Sequence, residues 1–534
     1  MKYESFPYKT LDGLLAAQAM SHHDRPFLRH GDECLTYGQV ERQAATVAAG
    51  LRELGLQPGD RLAVILPNIP AFGVVLFASV KAGLILVPVN VRRGRAEVMA
   101  RLSKTGPKAL ITFADPDLGY GIDHLALGLS VQSDLPALKH VISLEGNGKE
   151  AHPWSDLLGA TAAPVELVNR PEDPAAIVHT LGSFGDPRGA ILTQGGLTRN
   201  AASMASVLRC QPEDAFLGAV PFSNTFGLTA TILAAAAAGA QVVCLPKYHP
   251  AKALALIAEE SITVHNGVPT MFAMELNHGD FSPELCTSLR TGIMAGAPCP
   301  PMLVKRVREE MNCDVILAYG LTETCPAITM THLDDGPVTS TETVGRPLDG
   351  VELKVINPDG EALPEGEEGE LCVRGYNVML GYWDDPEATA SVLDANGWLR
   401  TGDLAVIDPD GPVRIMGRID EVVIRGGFKI YPGMVEMVLR SFPGVKEAAV
   451  LGVPDMIFGE LLVACVVCLP GQDFSAAELM AFASEHLAEY VLPDRILFFD
   501  TLPRRGSGPV RKDYLRSRVR IRGRAWKFGK NVDT

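Results

Sequence analysis

The sequence predicts an α/β protein with doubly wound, largely parallel sheets, followed by a β-rich section and a small α+β domain. In the first third, helical spacing at residues 40–54 and 72–82 alternates with short apolar runs at residues 61–66 and 84–89. Such alternation indicates βαβ units and a parallel sheet. Because 534 residues exceed what one core can organise, we expect roughly three or four domains or subdomains.

Further along the chain, the alternation of apolar runs and helical segments returns and then gives way to another pattern. The short apolar runs that predict a second parallel unit are residues 175–180, 240–245, 262–264, 292–294 and 315–317. From about residue 341, turn signals such as Pro358-Asp359-Gly360 separate short strands, which favours a β-rich module. About a hundred residues of mixed pattern follow Arg418-Ile419-Asp420, enough for a separate domain.

Composition is that of a globular protein, with 47% hydrophobic and 21% charged residues. The net charge of −15 argues against nucleic-acid binding by the body. From Arg504 onward, eleven Lys or Arg face two Asp, so this tail carries +9 and the remaining chain −24. The tail could attract phosphates or an acidic partner, or it could be a solvated terminus.

Cysteine use and hydropathy predict a cytoplasmic protein without a transmembrane segment. The ten cysteines show no disulfide or metal framework, which favours reduced thiols. The first residues lack an apolar signal core. The longest uncharged span, residues 215–246, is broken by Pro and Gly and centres on a small-residue helix at 234–238, so we interpret it as core.

One stretch predicts a ligand site. The apolar run Val315-Ile316-Leu317 ends at Tyr319-Gly320, and Thr322 and Glu323 follow. Parallel α/β sheets bind ligands at such carboxyl strand ends. A lone carboxylate beside a hydroxyl suits a magnesium ion held mainly by a nucleotide. The alternative is that Thr322 and Glu323 only begin a helix.

A glycine-rich loop follows a predicted strand at residues 179–189. Its glycines let backbone N–H groups turn toward one anion, and its hydroxyls and Arg188 add donors, so it is a candidate pyrophosphate cradle. It lacks the Gly-Lys-Ser/Thr ending of a Walker loop, and an ordinary glycine turn is the alternative.

Taken together, these motifs resemble the adenylate-forming superfamily of acyl-CoA synthetases, peptide-synthetase adenylation domains and luciferases. The motifs that carry the resemblance are the 179–189 loop, Gly296-Ala297-Pro298, residues 319–324, Gly369-Glu370-Leu371, residues 379–383, Thr401-Gly402-Asp403 and Gly417-Arg418. The resemblance covers nearly the whole chain. It implies these parts: an N-terminal domain (1–417) of two doubly wound subdomains (about 1–170 and 171–340) and a β-barrel (341–417), a hinge (418–420) and a mobile lid domain (421–534).

The resemblance also implies residue roles. The residues that would contact ATP are Thr180, Gly182, Ser183, Gly185, Gly296, Ala297, Pro298, Tyr319, Gly320, Thr322, Asp403 and Arg418. Tyr319 would stack on adenine, Asp403 would hold the ribose hydroxyls, and Arg418 would support the ribose. The catalytic groups would be Arg188, Thr322 and Glu323, with Glu323 binding Mg²⁺. Asp420 matches the hinge position about which the lid turns.

The chemistry that the resemblance implies is activation of an acid. The carboxylate attacks the α-phosphorus of ATP, pyrophosphate leaves, and the acyl adenylate passes to a nucleophile, typically the thiol of coenzyme A. The small-molecule acid would lie near Phe222, Asn224, Phe226 and Met294. The acceptor could instead be an amine, and the oligomeric state stays open, with a homodimer as one option.

The sequence departs from the family pattern at several positions. Pro509 stands where the family has the lid lysine that bridges substrate and α-phosphate, Asn224 replaces a common histidine, and Leu181 and Phe184 replace two hydroxyl residues of the loop. Three explanations follow. Arg504, Arg505, Arg511 or Lys512 could replace the lysine. The protein could activate another oxyacid, such as nitrite for diazotisation of an aromatic amine, or pass its adenylate to an amine. It could also be a non-catalytic nucleotide-binding homologue.

Overall fold

The computed structural model describes residues 8–145, 150–161, 168–181, 187–425, 428–455, 457–472, 474–504 and 510–522. The strands are β1 (Pro26–His30), β2 (Glu33–Thr36), β3 (Arg61–Val64), β4 (Ile85–Pro88), β5 (Ala109–Thr112), β6 (His140–Ser143), β7 (His152–Pro153), β8 (Pro174–Leu181), β9 (Pro187–Thr193), β10 (Ala215–Gly218), β11 (Gln241–Cys244), β12 (Val264–His265), β13 (Thr291–Met294), β14 (Asp314–Gly320), β15 (Ala327–Met330), β16 (Arg346–Pro347), β17 (Val351–Ile356), β18 (Glu368–Gly375), β19 (Leu399–Ile407), β20 (Val413–Arg418), β21 (Val423–Arg425), β22 (Phe428–Ile430), β23 (Val445–Asp455), β24 (Gly459–Cys468) and β25 (Arg495–Phe498).

The α-helices are α1 (Leu11–Ser21), α2 (Tyr37–Glu53), α3 (Pro70–Lys81), α4 (Arg95–Thr105), α5 (His124–Gln132), α6 (Trp154–Leu158), α7 (Gln194–Val207), α8 (Ala234–Ala238), α9 (Pro250–Glu259), α10 (Pro269–Leu276), α11 (Pro301–Glu310), α12 (Pro337–Glu342), α13 (Pro386–Val392), α14 (Pro432–Ser441), α15 (Ala476–His486) and α16 (Lys512–Arg522). A π-helix, Phe226–Leu233, leads directly into α8. Local sequence explains several starts: Thr36 with Gln39 and Ser475 with Glu478 form capping boxes.

Two large, mainly parallel sheets confirm the predicted α/β class. One has the order β7-β6-β5-β3-β4-β8-β9 and the other β16-β15-β14-β13-β12-β10-β11-β1-β2. Strands β4 and β5 are buried at every residue, as expected where helices cover both faces of a parallel sheet. Within the second of these sheets, the carboxyl ends of β13 and β14 lie side by side, because Met294 pairs with Leu317.

The two sheets exchange segments along the chain. Strands β1 and β2, from the N-terminal region, join the sheet built mostly after residue 210, while β8 and β9 join the sheet built mostly before residue 155. The predicted boundary near residue 170 therefore does not separate the sheets. The reason is that β1 pairs with β11 and β4 pairs with β8, which are long-range contacts that no local pattern encodes.

The β-rich section, which the resemblance implies to be a barrel, contains an antiparallel sheet with the order β17-β18-β19-β20. Among the described residues, these four strands pair in that order as an open sheet. Val355, Leu371, Ala405 and Val413 form the core of this sheet, and Tyr319 of β14 packs against it. The sheet thus brings β19 and β20 next to the end of β14.

The lid domain begins after β20. A 3₁₀ turn, Ile419–Glu421, connects β20 to a sheet with the order β22-β21-β24-β23, to which β25 adds alongside β24. Helices α14, α15 and α16 pack on this sheet. In the described ranges, no helix combines the length and apolar character that crossing a bilayer requires.

Candidate active site

The site is built around the end of β14. Gly320 is required there, because a Cβ at that position would lie 1.8 Å from the carbonyl oxygen of Pro326. A 3₁₀ turn, Thr322–Thr324, follows, and the chain returns antiparallel as β15. Thr322 thus begins a single 3₁₀ turn and not an α-helix, since the chain continues from this turn into a strand.

Tyr319 meets a carboxylate of the neighbouring sheet. Its hydroxyl donates to Asp403 Oδ2 at 2.5 Å. Asp403 lies on β19 and is only 6% exposed. Burial first, and then the Asp403 carboxylate, hold the pKa of the Tyr319 phenol well above its ordinary value, so the phenol remains a donor. Burial also raises the pKa of Asp403, against the opposing effects of Tyr319 and Arg418.

Arg418 connects this carboxylate to the hinge. It lies opposite Asp403 on β20, and its Nη1 lies 3.3 Å from Asp403 Oδ1. Its Nε lies 3.2 Å from Oδ1 of Asp420. One guanidinium is thus shared between the predicted ribose ligand and the predicted hinge residue.

Glu323 and Arg188 meet at one side chain. The Tyr382 hydroxyl donates to Glu323 Oε1 at 2.7 Å, and the guanidinium carbon of Arg188 lies 5.4 Å from the centroid of the Tyr382 ring. Thr180 pairs with Arg188 across β8 and β9. Several residues of the predicted phosphate cradle lie outside the described residues, among them Gly182, Ser183, Phe184 and Gly185.

The predicted adenine segment lies at the same edge of the sheet. Gly296, Ala297 and Pro298 are exposed and follow β13, which neighbours β14. Gly296 has a left-handed backbone (φ +82°), a conformation that favours glycine. The sheet therefore brings this segment and Tyr319 to one edge.

The four predicted acid-pocket residues differ in burial. Phe222 is 1% exposed and packs against Phe72, and Met294 is fully buried in the core. Asn224 is exposed and Phe226 is half-buried at the start of the π-helix. Only Asn224 and Phe226 present side-chain surface to solvent, so the role of all four stays a prediction.

Sequence reasoning missed the role of Tyr382. Its Gly381-Tyr382-Trp383 motif counted only toward the family resemblance, with no contact assigned. The signal that could have drawn attention to it is an aromatic residue with a polar tip directly after a glycine in an otherwise apolar segment.

Three of the four cations considered above as substitutes for a lid lysine are paired with carboxylates of the predicted lid and hinge. Arg504 pairs with Glu447 at 2.7 Å and Arg511 with Asp513 at 2.8 Å. Lys512 lies 2.5 Å from Glu421 and 2.8 Å from Glu436. Burial alone would lower the pKa of Lys512, but Glu436 and Glu421 raise it above its ordinary value. Arg505 and Pro509 lie outside the described residues.

Replacing Lys512 with methionine is expected to destabilise the lid by about 3–5 kcal/mol, because the buried Glu436 would lose its cation and the half-exposed Glu421 would lose the same partner. Amide hydrogen exchange in α14 and β23 measures this loss. The matched control is Lys446→Met, since Lys446 is exposed on β23. Unchanged protection in Lys512→Met would contradict a structural role.

Comparisons with known proteins cover almost the entire chain. Residues 15–383 match the model of the AMP-binding enzyme family, and residues 434–508 match that of the AMP-binding enzyme C-terminal domain. A feruloyl-CoA synthase from Amycolatopsis sp is 35% identical, over 92% of this chain and 95% of the relative.

Solved structures give the same picture. ATP-bound MatB from Rhodopseudomonas palustris is 30% identical with a TM-score of 0.83, covering 95% of this chain and 98% of that one. The anthranilate CoA ligase AuaEII in complex with anthranoyl-AMP is 26% identical with a TM-score of 0.88, covering 98% and 100%.

Proposed function

Because the chain belongs to the AMP-binding enzyme family, we propose that it is an ATP-dependent, AMP-forming ligase that joins a carboxylic acid to coenzyme A. The acid would first become an acyl adenylate with release of pyrophosphate, and the thiol of coenzyme A would then displace AMP. Similar proteins include a feruloyl-CoA synthase and a solved ligase in complex with an acyl adenylate.

The observation that carries the proposal is the Tyr319–Asp403 pair at the carboxyl edge of β14. A buried carboxylate held by Tyr319 and Arg418 can accept hydrogen bonds from two adjacent ribose hydroxyls. The Tyr319 ring, fixed by its own hydroxyl, offers a face for adenine stacking. These residues orient the nucleotide, which is the main catalytic contribution in phosphoryl and adenylyl transfer.

The residues beyond the nucleoside fit the triphosphate. Arg188 and Glu323 both contact Tyr382, so a cation and a carboxylate lie at one side chain, where they could meet the phosphates. One Glu323 oxygen accepts from Tyr382, and a single further carboxylate oxygen suits magnesium bound mainly by phosphate oxygens. Magnesium bound there would neutralise charge on the phosphates. Thr322 would face the α-phosphate from the same turn.

The acceptor and the acid are part of the proposal. Asn224 and Phe226 are the pocket residues with exposed surface, so we place the acid beside them. All ten cysteines are among the described residues and are free thiols, which supports a reducing, cytoplasmic location. The replacement of the lid lysine by Pro509 favours a second candidate: an atypical ligase that transfers its adenylate to an amine or activates nitrite.

A pyrophosphate-release assay separates these functions. We expect release with a carboxylic acid and formation of a thioester when coenzyme A is added. Release that requires nitrite or an amine would replace this function by the second candidate. Nucleotide binding without any release over a broad acid panel would contradict both.

A further inference from the structure

A short segment connects the two halves of the proposed phosphate site. We call residues Met379–Trp383 the strap. On one side its backbone pairs with β9: Leu380 N–H donates to Ile191 O and Ile191 N–H donates to Gly381 O, both at 2.9 Å. On the other side, Met379 N–H donates to the carbonyl of Glu323 at 2.9 Å. The strap therefore sets the strand that leaves the glycine-rich loop against the turn that carries Glu323.

Within the strap, Tyr382 contacts both Glu323 and Arg188. It is 8% exposed, its hydroxyl donates to Glu323 Oε1 at 2.7 Å, and Arg188 lies over its ring. Burial and the Glu323 carboxylate raise the pKa of the Tyr382 phenol.

Carboxylates that bind metals are commonly oriented by hydrogen bonds from neighbouring groups, and loss of such a partner typically weakens metal binding. A carboxylate can rotate about its Cγ–Cδ bond. A donor on Oε1 removes that freedom and leaves the second oxygen for a cation. Magnesium tolerates little deviation from octahedral geometry, so a fixed single oxygen is the ligand it requires here.

We propose that Tyr382 is a positioning residue that holds Glu323 in the orientation needed for the magnesium of bound ATP, while its ring keeps Arg188 on the phosphate side. This inference rests on the proposed function, in particular on Glu323 as a magnesium ligand. It adds a residue that touches neither substrate nor metal, and it explains why the Gly381-Tyr382-Trp383 motif lies where it does.

The hydroxyl can be tested apart from the fold. In Tyr382→Phe the ring and the backbone pairing of the strap remain, while the hydroxyl's bond to Glu323 and its interaction with Arg188 are lost. The chain offers a matched control in Tyr376→Phe. Tyr376 also packs beneath an arginine, since the guanidinium carbon of Arg199 lies 3.9 Å from its ring centroid, and its hydroxyl lies 3.2 Å from Ser203 Oγ.

The experiment is a calorimetric titration of ATP into each full-length variant, at several Mg²⁺ concentrations and in EDTA. The quantity to compare is the Mg²⁺ concentration at which half of the metal-dependent gain in ATP affinity is reached. For Tyr382→Phe we expect this concentration to rise about tenfold. Affinity for metal-free ATP should stay within about twofold of wild type. Tyr376→Phe should change neither quantity, and melting temperatures confirm that both variants are folded.

Other results would overturn the inference. An unchanged Mg²⁺ dependence in Tyr382→Phe would show that the hydroxyl does not orient Glu323. An equal loss of metal-free and metal-dependent affinity would indicate a merely structural role. If the wild-type protein binds ATP with equal affinity in Mg²⁺ and in EDTA, Glu323 does not act as a magnesium ligand either. That result would contradict the proposed function, whereas the two results above would contradict only the inference. A second variant is Glu323→Gln: when it is present, adding Tyr382→Phe should not change the Mg²⁺ dependence of ATP binding further.

Discussion

Replacing Pro509 with lysine is expected to raise the rate of adenylate formation by about 10²–10³-fold. The resemblance places the lysine that bridges the acid and the α-phosphate at this position, and proline has no donor to offer. A preorganised donor to developing charge is worth roughly 3–4 kcal/mol of transition-state stabilisation. Arg504, Arg511 and Lys512 are already paired with lid or hinge carboxylates, so we expect none of these three to mask the gain.

Exchange of labelled pyrophosphate into ATP measures this step alone, because it reports adenylate formation without the acceptor. Pro509→Met is the matched control: it removes the ring and adds an unbranched chain without a charge, so it should leave the rate near wild type. An exchange rate that Pro509→Lys leaves unaltered, with acids that bind, would count against the assignment of this position. It would favour an acid or oxyacid that is activated without a lid cation.

Replacing Asp403 with alanine is expected to weaken ATP binding by at least about 100-fold. Hydrogen bonds to a charged group are worth about 1.5–3 kcal/mol each, and the carboxylate would accept two from the ribose. The substitution also removes the acceptor of the Tyr319 hydroxyl and a partner of Arg418, so both side chains lose orientation.

The control for this variant lies just beyond the same strand. Asp408 directly follows β19 and pairs with Arg414 of β20 at 2.8 Å, just as Asp403 pairs with an arginine of β20. Asp408→Ala should leave ATP affinity unchanged. Calorimetry that finds wild-type affinity in Asp403→Ala would refute the ribose role.

Some of this site could be predicted because its signals are local. A buried apolar run that ends at Tyr319-Gly320 is a strand end, and the structure has β14 end there. The small-residue helix at 234–238 and the strand after it were likewise predicted. The π-helix before them was not, because a segment buried on all sides carries no amphipathic period from which its pitch could be inferred.

The remaining features depend on contacts between distant residues. Tyr319 and Asp403 are 84 residues apart, and Tyr382 and Glu323 are 59 apart. Motif order suggested that Tyr319 and Asp403 belong to one site, but no pattern within either segment specifies a shared hydrogen bond. The same holds for the exchange of β1–β2 and β8–β9 between sheets, which is decided by long-range strand pairing.

The central claim is that the chain cleaves ATP between its α- and β-phosphates to activate an acid. Phosphorus NMR of ATP incubated with the protein, Mg²⁺, coenzyme A and a panel of carboxylic acids tests it directly. The account predicts AMP and pyrophosphate in equal amounts, formed only when an accepted acid is present. Formation of ADP and inorganic phosphate, or AMP formation that no acid affects, would contradict it.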